Sequence, residues 1–175
     1  RALFRSPTSD PPSEIVYLKD IECDAYWSPV TSLNSDVERR VVHGQGFTVY
    51  HADYGDVQSE TFITVHAAAP LKLIRLRLHN SSESVRRLQV TYYAETVLGV
   101  AREETAMHQV SGFDAERLAI LMSNGYHSDF RSQSVFLAML NVDNLSWTGD
   151  RRSFIGRDGS LNNPAAMQRG LNQRV

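Results

Sequence analysis

The residues best equipped for chemistry crowd into one stretch, Thr148–Ala166, reading TGDRRSFIGRDGSLNNPAA. It holds Arg151, Arg152 and Arg157, Asp150 and Asp158, and Gly149, Gly156 and Gly159. Only Phe154, Ile155 and Leu161 offer apolar anchors. Arginine supplies a planar fork of donors, and glycine lets backbone N–H groups come close to a ligand or another segment. Sugar hydroxyls, carboxylates and phosphates all suit such a surface. Glycine at this density disfavours both helix and strand, so the stretch reads as an ordered loop. Asp150, Arg151, Arg152 and Arg157 are its candidate substrate-binding residues. Trp147, just ahead of them, is the aromatic expected to face a ligand. On charge pattern alone a plainer reading wins, because surface charge clusters are usually solvated faces. In that reading Asp150 pairs with a neighbouring arginine and the loop only closes an edge of the fold.

Other chemistries find less support. The six histidines are scattered, and none forms H-x-x-x-H or HExxH. His51 and Asp53 share one strand face, where an ordinary hydrogen-bonded pair is the expectation, so no metal site is assigned. His43-Gly44-Gln45-Gly46-Phe47 contains G-x-G without the third glycine or a βαβ context, which rejects a dinucleotide site. It reads instead as a tight approach to a strand. Glu103-Glu104 and the Asp20/Glu22/Asp24 cluster are acidic, and a glycosidase needs two carboxyls across a sugar. Spacing along the chain does not place them face to face. No G-x-S-x-G elbow occurs, and Cys23 has no histidine close in sequence. No catalytic residue and no cofactor is assigned.

The chain has 175 residues, enough for one domain with a sizeable core and too few for two ordinary ones. Its 42% apolar and 22% charged composition fits a globular domain. A net charge of −2 argues against a nucleic-acid or anionic-membrane surface. One cysteine excludes an intramolecular disulfide and fits a reducing compartment. No apolar run reaches the length of a membrane span. The chain opens without Met or a signal-peptide pattern, and reads as a fragment of something larger.

The elements that must position these residues are mostly strands. Residues 1–14, with Pro7, Pro11 and Pro12, read as an extended tail or linker, and 15–175 as the folded domain. Ile15–Lys19 is a short strand, and Pro29 opens an irregular crossing through Asp36. From Arg39 the period is two, with Phe47, Val49, His51 and Asp53 on one face, and Gly55-Asp56 marks a hairpin between that strand and Val57–His66. Leu71–His79 alternates with a phase slip at Leu73-Ile74 that suits a bulge. Asn80–Ser84 then turns the chain into Val85–Val97, which reads as a second hairpin. Further strands fit Met107–Phe113, Leu118–Met122 and Ser134–Leu140. A short helix follows, with Asn163 as cap, Pro164 at its first position and Gly170 as its stop. Many short strands between turn signals predict an all-β sandwich.

Five stretches then match one family in order: YLKDIECDAYWSP at Tyr17–Pro29, HGQGF at His43–Phe47, IRLRLHNSS at Ile74–Ser82, VTYYAETVLG at Val90–Gly99 and TGDRRSFIGRDGSLNNPAAM at Thr148–Met167. Over roughly residues 15–169 the chain resembles the N-terminal β-sandwich of the inverting glycoside phosphorylases, the glycoside hydrolase family 94 type. Within that group it resembles most the phosphorylase-like C-terminal region of cyclic β-1,2-glucan synthases. The resemblance implies a large antiparallel super-sandwich similar to galactose mutarotase, which in the family precedes an (α/α)6 barrel. That barrel carries the catalytic Asp and most sugar and phosphate ligands, and none of its segments is present here. The resemblance therefore implies a non-catalytic domain that packs on the barrel and helps shape its site through the arginine loop.

The implied partners are a β-glucan or oligosaccharide and inorganic phosphate through the parent enzyme, the barrel itself, and a second copy in a homodimer. The implied location is cytoplasmic, or the cytoplasmic side of the inner membrane for a glucan synthase. Ser153, where an acidic residue is frequent, and IECDAY depart mildly from the pattern and leave sugar specificity open. Two alternatives stand beside this reading. An independent carbohydrate-binding module would use an exposed aromatic such as Trp147. A self-sufficient mutarotase-like enzyme would need a histidine and a carboxylate facing across a groove.

Overall fold

The computed structural model describes residues 12–33, 37–142 and 144–173. They form two compact units, divided between Ala94 and Glu95. Among the described residues, no helix is long and apolar enough to cross a membrane.

The first unit holds two antiparallel sheets. One has three strands in the order β2 (Tyr26–Trp27), β1 (Glu14–Asp20) and β7 (Leu88–Ala94). The other has four strands joined in sequence: β3 (Glu38–Gly44), β4 (Phe47–Tyr54), β5 (Val57–Val65) and β6 (Lys72–Asn80). Most of the expected tail lies outside the described residues, and Glu14 already belongs to β1. Ile15–Lys19 is a strand, as expected, and forms the body of β1. It is buried along nearly its whole length because it is the central strand of its sheet.

Leu18, Trp27, Val37, Ala52 and Val57 make one buried cluster, with Tyr54, Leu76, Leu88 and Val90 packed around it. Trp27 stacks on Tyr54 with ring centres 4.4 Å apart. Below the cluster Asp20 is almost wholly buried and pairs with Arg86 at 3.0 Å. Arg86 reaches Asp56 as well, at 3.1 Å. Burial pushes the Asp20 carboxyl up, but the Glu22 N–H, the Arg86 guanidinium and the Cys23 N–H outweigh it and hold the group below its ordinary range.

Two expectations fail here. The register of β5 against β6 runs unbroken through Thr64↔Leu73 and Ile63↔Ile74, so no bulge absorbs the phase slip. Leu73 simply points to the other face and is 44% exposed. Nor do β6 and β7 form a hairpin. β6 is an edge of the four-stranded sheet, while β7 pairs with β1 in the other. The connection is pinned elsewhere: Ser81 N–H donates to the Asp56 carbonyl, and Arg86 bridges Asp20 and Asp56. By contrast, Gly55-Asp56 does join β4 and β5, with Gly55 at φ 56°. HGQGF is more than an approach to a strand, since Gln45-Gly46 turns β3 into β4.

The period of two sorts the four-stranded sheet into faces. Ala52, Val57, Ser59 and Thr61 lie on the buried side. The other side carries four cross-strand rows: Glu38–Asp53–Gln58–His79, then Arg40–His51–Glu60–Arg77, then Val42–Val49–Phe62–Arg75, then Gly44–Phe47–Thr64–Leu73.

The second unit begins with a short helix, α1 (Arg102–Thr105), and a 3-10 turn at Ala106–His108. The turn takes the first residues of the expected Met107–Phe113 strand, which starts at Gln109. A three-stranded antiparallel sheet follows, in the order β10 (Ser134–Ala138), β9 (Ala119–Asn124), β8 (Gln109–Asp114). Asp114 holds the β8–β9 turn by accepting from the Glu116 and Arg117 N–H groups. Two further short helices, α2 (Arg151–Ile155) and α3 (Ala166–Arg169), complete it.

Candidate functional site

The segment Thr148–Asn172 is built from point contacts rather than a ladder. Thr148 Oγ1 accepts from the Asp150 N–H at 3.2 Å. Asp150 then sits with extended backbone, accepts from the Arg152 N–H at 2.9 Å, and takes the Ser153 hydroxyl at 2.5 Å. That is an N-cap, and it nucleates α2 in a stretch whose glycines argue for a loop. Glycine is absent from Arg151–Ile155 itself, so its cost falls only on the flanks. The Ser153 hydroxyl leads the causes that hold the Asp150 carboxyl below its ordinary range, ahead of burial, which opposes it, and the Ser153 and Arg152 N–H groups.

Phe154 and Ile155 are buried and anchor the turn. Gly156 ends it at φ 89°, a conformation that L side chains rarely adopt. Gly159 passes so close that a Cβ there would lie 1.9 Å from the Ile155 carbonyl oxygen. The chain returns when the Ala165 N–H donates to that same carbonyl, at 3.0 Å. α3 follows, with Ala166 and Met167 buried and Gly170 as its stop. Asn163 is not its cap. The residue before the helix is Ala165, and Asn163 instead bridges back to Ser160 through the backbone. Asn172 Nδ2 donates to Ser153 Oγ at 2.9 Å, and the Gln173 N–H to the Trp147 carbonyl at 2.8 Å, closing the segment on itself.

Three of the five candidate residues meet. Asp150, Arg152 and Arg157 line a depression of about 420 Å³ together with Arg169, Gly156 and Gly170. Arg152, Arg157 and Arg169 are exposed and make no ion pair among the described residues. Asp150 is engaged as the cap of α2 and forms no ion pair with them, although the nearby Arg152 charge also helps to hold its carboxyl down. Here the structure departs from the expected Asp150–arginine pair. Arg151 turns away to Glu95, Nε to Oε1 at 2.7 Å, and Arg102 takes the other oxygen of that carboxylate at 3.3 Å. Trp147 is half-buried and stacks on Phe113 of β8, with centres 4.3 Å apart and planes within 12°. One face of its ring is therefore already occupied.

Arg169 was not legible in the sequence, since it stands twelve residues past Arg157 and backbone contacts such as Ala165 to Ile155 fold it back. The other acidic clusters are structural or apart. Asp20 is paired with Arg86, and Asp24 with Lys19 at 2.5 Å. Glu103 and Glu104 are exposed on α1. His51 and Asp53 share a sheet face as expected, but make no hydrogen bond to each other. Among the described residues no three His, Cys, Asp or Glu side chains come together to hold a metal ion.

A family model described as the supersandwich domain of glycosyl hydrolase 94 matches residues 2–175. The chain is 31% identical over 161 residues to the cyclic beta-(1,2)-glucan synthase NdvB of Rhizobium meliloti (strain 1021), covering 91% of this chain and 6% of that protein. It is 22% identical over 170 residues to the N,N'-diacetylchitobiose phosphorylase of Vibrio proteolyticus and 24% identical over 172 residues to that of Vibrio furnissii. Each of those alignments covers 93% of this chain and 21% of the phosphorylase. The chain thus spans about a fifth or less of the length of these relatives. With its antiparallel sheets, its arginine-lined depression and a family match running almost end to end, this chain belongs to the supersandwich domains of glycosyl hydrolase 94.

Proposed function

We propose that this chain is the non-catalytic sandwich of an enzyme that processes β-glucans or related oligosaccharides, as a phosphorylase or a glucan synthase. In this reading it packs against an (α/α)6 barrel outside this sequence, and Thr148–Asn172 helps to shape the site that the barrel completes. The observation that carries it is the depression edged by Arg152, Arg157 and Arg169, three exposed guanidinium groups that form no ion pair among the described residues. Cations so placed suit sugar hydroxyls, phosphate, or a carboxylate of the facing domain. The barrel supplies the catalytic acid, and the parent acts in the cytoplasm or at the cytoplasmic side of the inner membrane. A homodimer fits the same family.

The test has two parts. This chain alone, given cellobiose, β-1,2-gluco-oligosaccharide or N,N'-diacetylchitobiose with inorganic phosphate, should release no sugar phosphate. Turnover by the chain alone would overturn the reading. In the enzyme that carries this domain, Arg157→Ala should lower kcat/KM about tenfold, close to 1.4 kcal/mol of transition-state stabilisation. It should leave the melting of this chain unchanged. The binding-module alternative would use Trp147 with one face of its ring already on Phe113.

A further inference from the structure

We infer that the charged end of the four-stranded sheet is a binding groove for a neutral oligosaccharide, distinct from the depression around Arg157. Two adjacent rows form it, Glu38–Asp53–Gln58–His79 and Arg40–His51–Glu60–Arg77. They line a depression of about 620 Å³ on the face opposite the buried cluster. Glu60 takes Arg75 at 3.4 Å and Arg77 at 3.6 Å. The side chains of Glu38, Arg40, His51, Asp53, Gln58 and His79 make no hydrogen bond or ion pair among the described residues. Glu38 and Asp53 stand directly opposite across the strands, an apposition of like charges that weakens a sheet. A surface selected only for solubility would pair these groups with the arginine beside them.

The mixture of groups selects the ligand. Three carboxylates and two guanidiniums nearly balance, so neither a polyanion nor a polycation is favoured. Among the described residues no three such groups converge to hold a metal ion. A purely apolar ligand would leave the charged groups of both rows without partners. A neutral chain of hydroxyls, each both donor and acceptor, can use carboxylate, guanidinium, amide and imidazole together. The next row, Val42–Val49–Phe62, offers an apolar shelf to the C–H faces of a sugar, with Arg75 held over Phe62 at 5.1 Å. Each row crosses three strand spacings of about 4.8 Å, or about 14 Å, which suits several linked rings better than one.

The experiment is titration of this chain with β-1,2- and β-1,4-linked glucotetraose, with glucose and calcium chloride as controls, read by calorimetry and by amide shifts. We expect saturable tetraose binding, at least tenfold weaker for glucose and absent for calcium. The Glu38→Gln/Asp53→Asn double variant should lose binding tenfold or more while melting at a higher temperature, since its like-charge repulsion is gone. A merely structural role predicts no such opposition. Arg157→Ala should bind as the parent chain does, which separates this inference from the role proposed for Thr148–Asn172. Tetraose silence in a cooperatively folded chain, binding unchanged in the double variant, loss with Arg157→Ala, or a response to calcium alone would each overturn it.

Discussion

The four-stranded sheet and the Thr148–Asn172 segment both present charged side chains to solvent, yet they hold them by opposite means. In the sheet each side chain is placed by a ladder that repeats without interruption from β3 to β6. Removing one side chain leaves its neighbours where they were. In the segment, position depends on single contacts: the Asp150 cap, the close pass at Gly159, and the Ile155–Ala165 bond. Losing one of them is expected to loosen the residues downstream more than a surface change in the ladder would. A ladder spreads the cost of a substitution, whereas a chain of point contacts concentrates it.

The largest effect should come from the core that backs the ladder. Trp27→Ala, at 1% exposure and stacked on Tyr54, should cost about 3–5 kcal/mol in urea denaturation. Retention of parental stability would deny that this cluster supports the sheet. Gly159→Ala comes next, because its Cβ meets rigid backbone at Ile155. A loss of about 2–3 kcal/mol is expected, seen first as faster amide exchange at Arg157–Arg169 rather than in the sheet. Equal exchange in both regions would erase this difference between ladder and segment. Asp150→Ala removes one cap and should cost about 1 kcal/mol.

Titration sharpens the same contrast. Asp20, Asp114 and Asp150 are all held below their ordinary range in the folded chain, so the unfolded chain binds more protons in acid. Their contribution is full above the ordinary carboxylate range and is lost as the pH falls through the lowered folded values. Asp150→Ala should therefore flatten part of the acid limb of the stability curve. The smallest effect belongs to Arg151→Ala. That side chain is 61% exposed and Glu95 keeps Arg102, so thermal melting should register less than about 0.5 kcal/mol.

What was legible in the sequence follows the same division. Alternation and Gly55-Asp56 located β4 and β5, because a two-residue turn forces the partners together. The same alternation in Leu71–His79 and Val85–Val97 identified strands but paired them with each other, which the structure does not. Seven residues separate β6 from β7, and Arg86 ties them to Asp20 and Asp56 instead of letting them close a hairpin. The arginine stretch was recognisable by composition. Its helical turn was not, because the Asp150 cap and the buried Phe154 and Ile155 outweigh the flanking glycines. Which arginines would converge depended on a backbone bond at Ile155 that no spacing rule announces. The groove between Glu38 and His79 was hidden in part for the opposite reason. The His51–Asp53 face was visible, but its completion needed the register of four strands.

The position of β6 at the rim of its sheet carries one more consequence. A rim strand offers unpaired backbone groups to any passing strand, including its own copy. KLIRLRLHN is apolar at Leu73, Ile74, Leu76 and Leu78, and without its charges it would be a template for assembly into fibrils. Lys72, Arg75 and Arg77 bring like charge against like charge whenever two such rims meet. Arg75 is also held over Phe62, and Arg77 beside Glu60. These cations thus serve as gatekeepers against aggregation, Arg77 while also lining the groove, and neutralising them should shorten the lag before the chain comes out of solution.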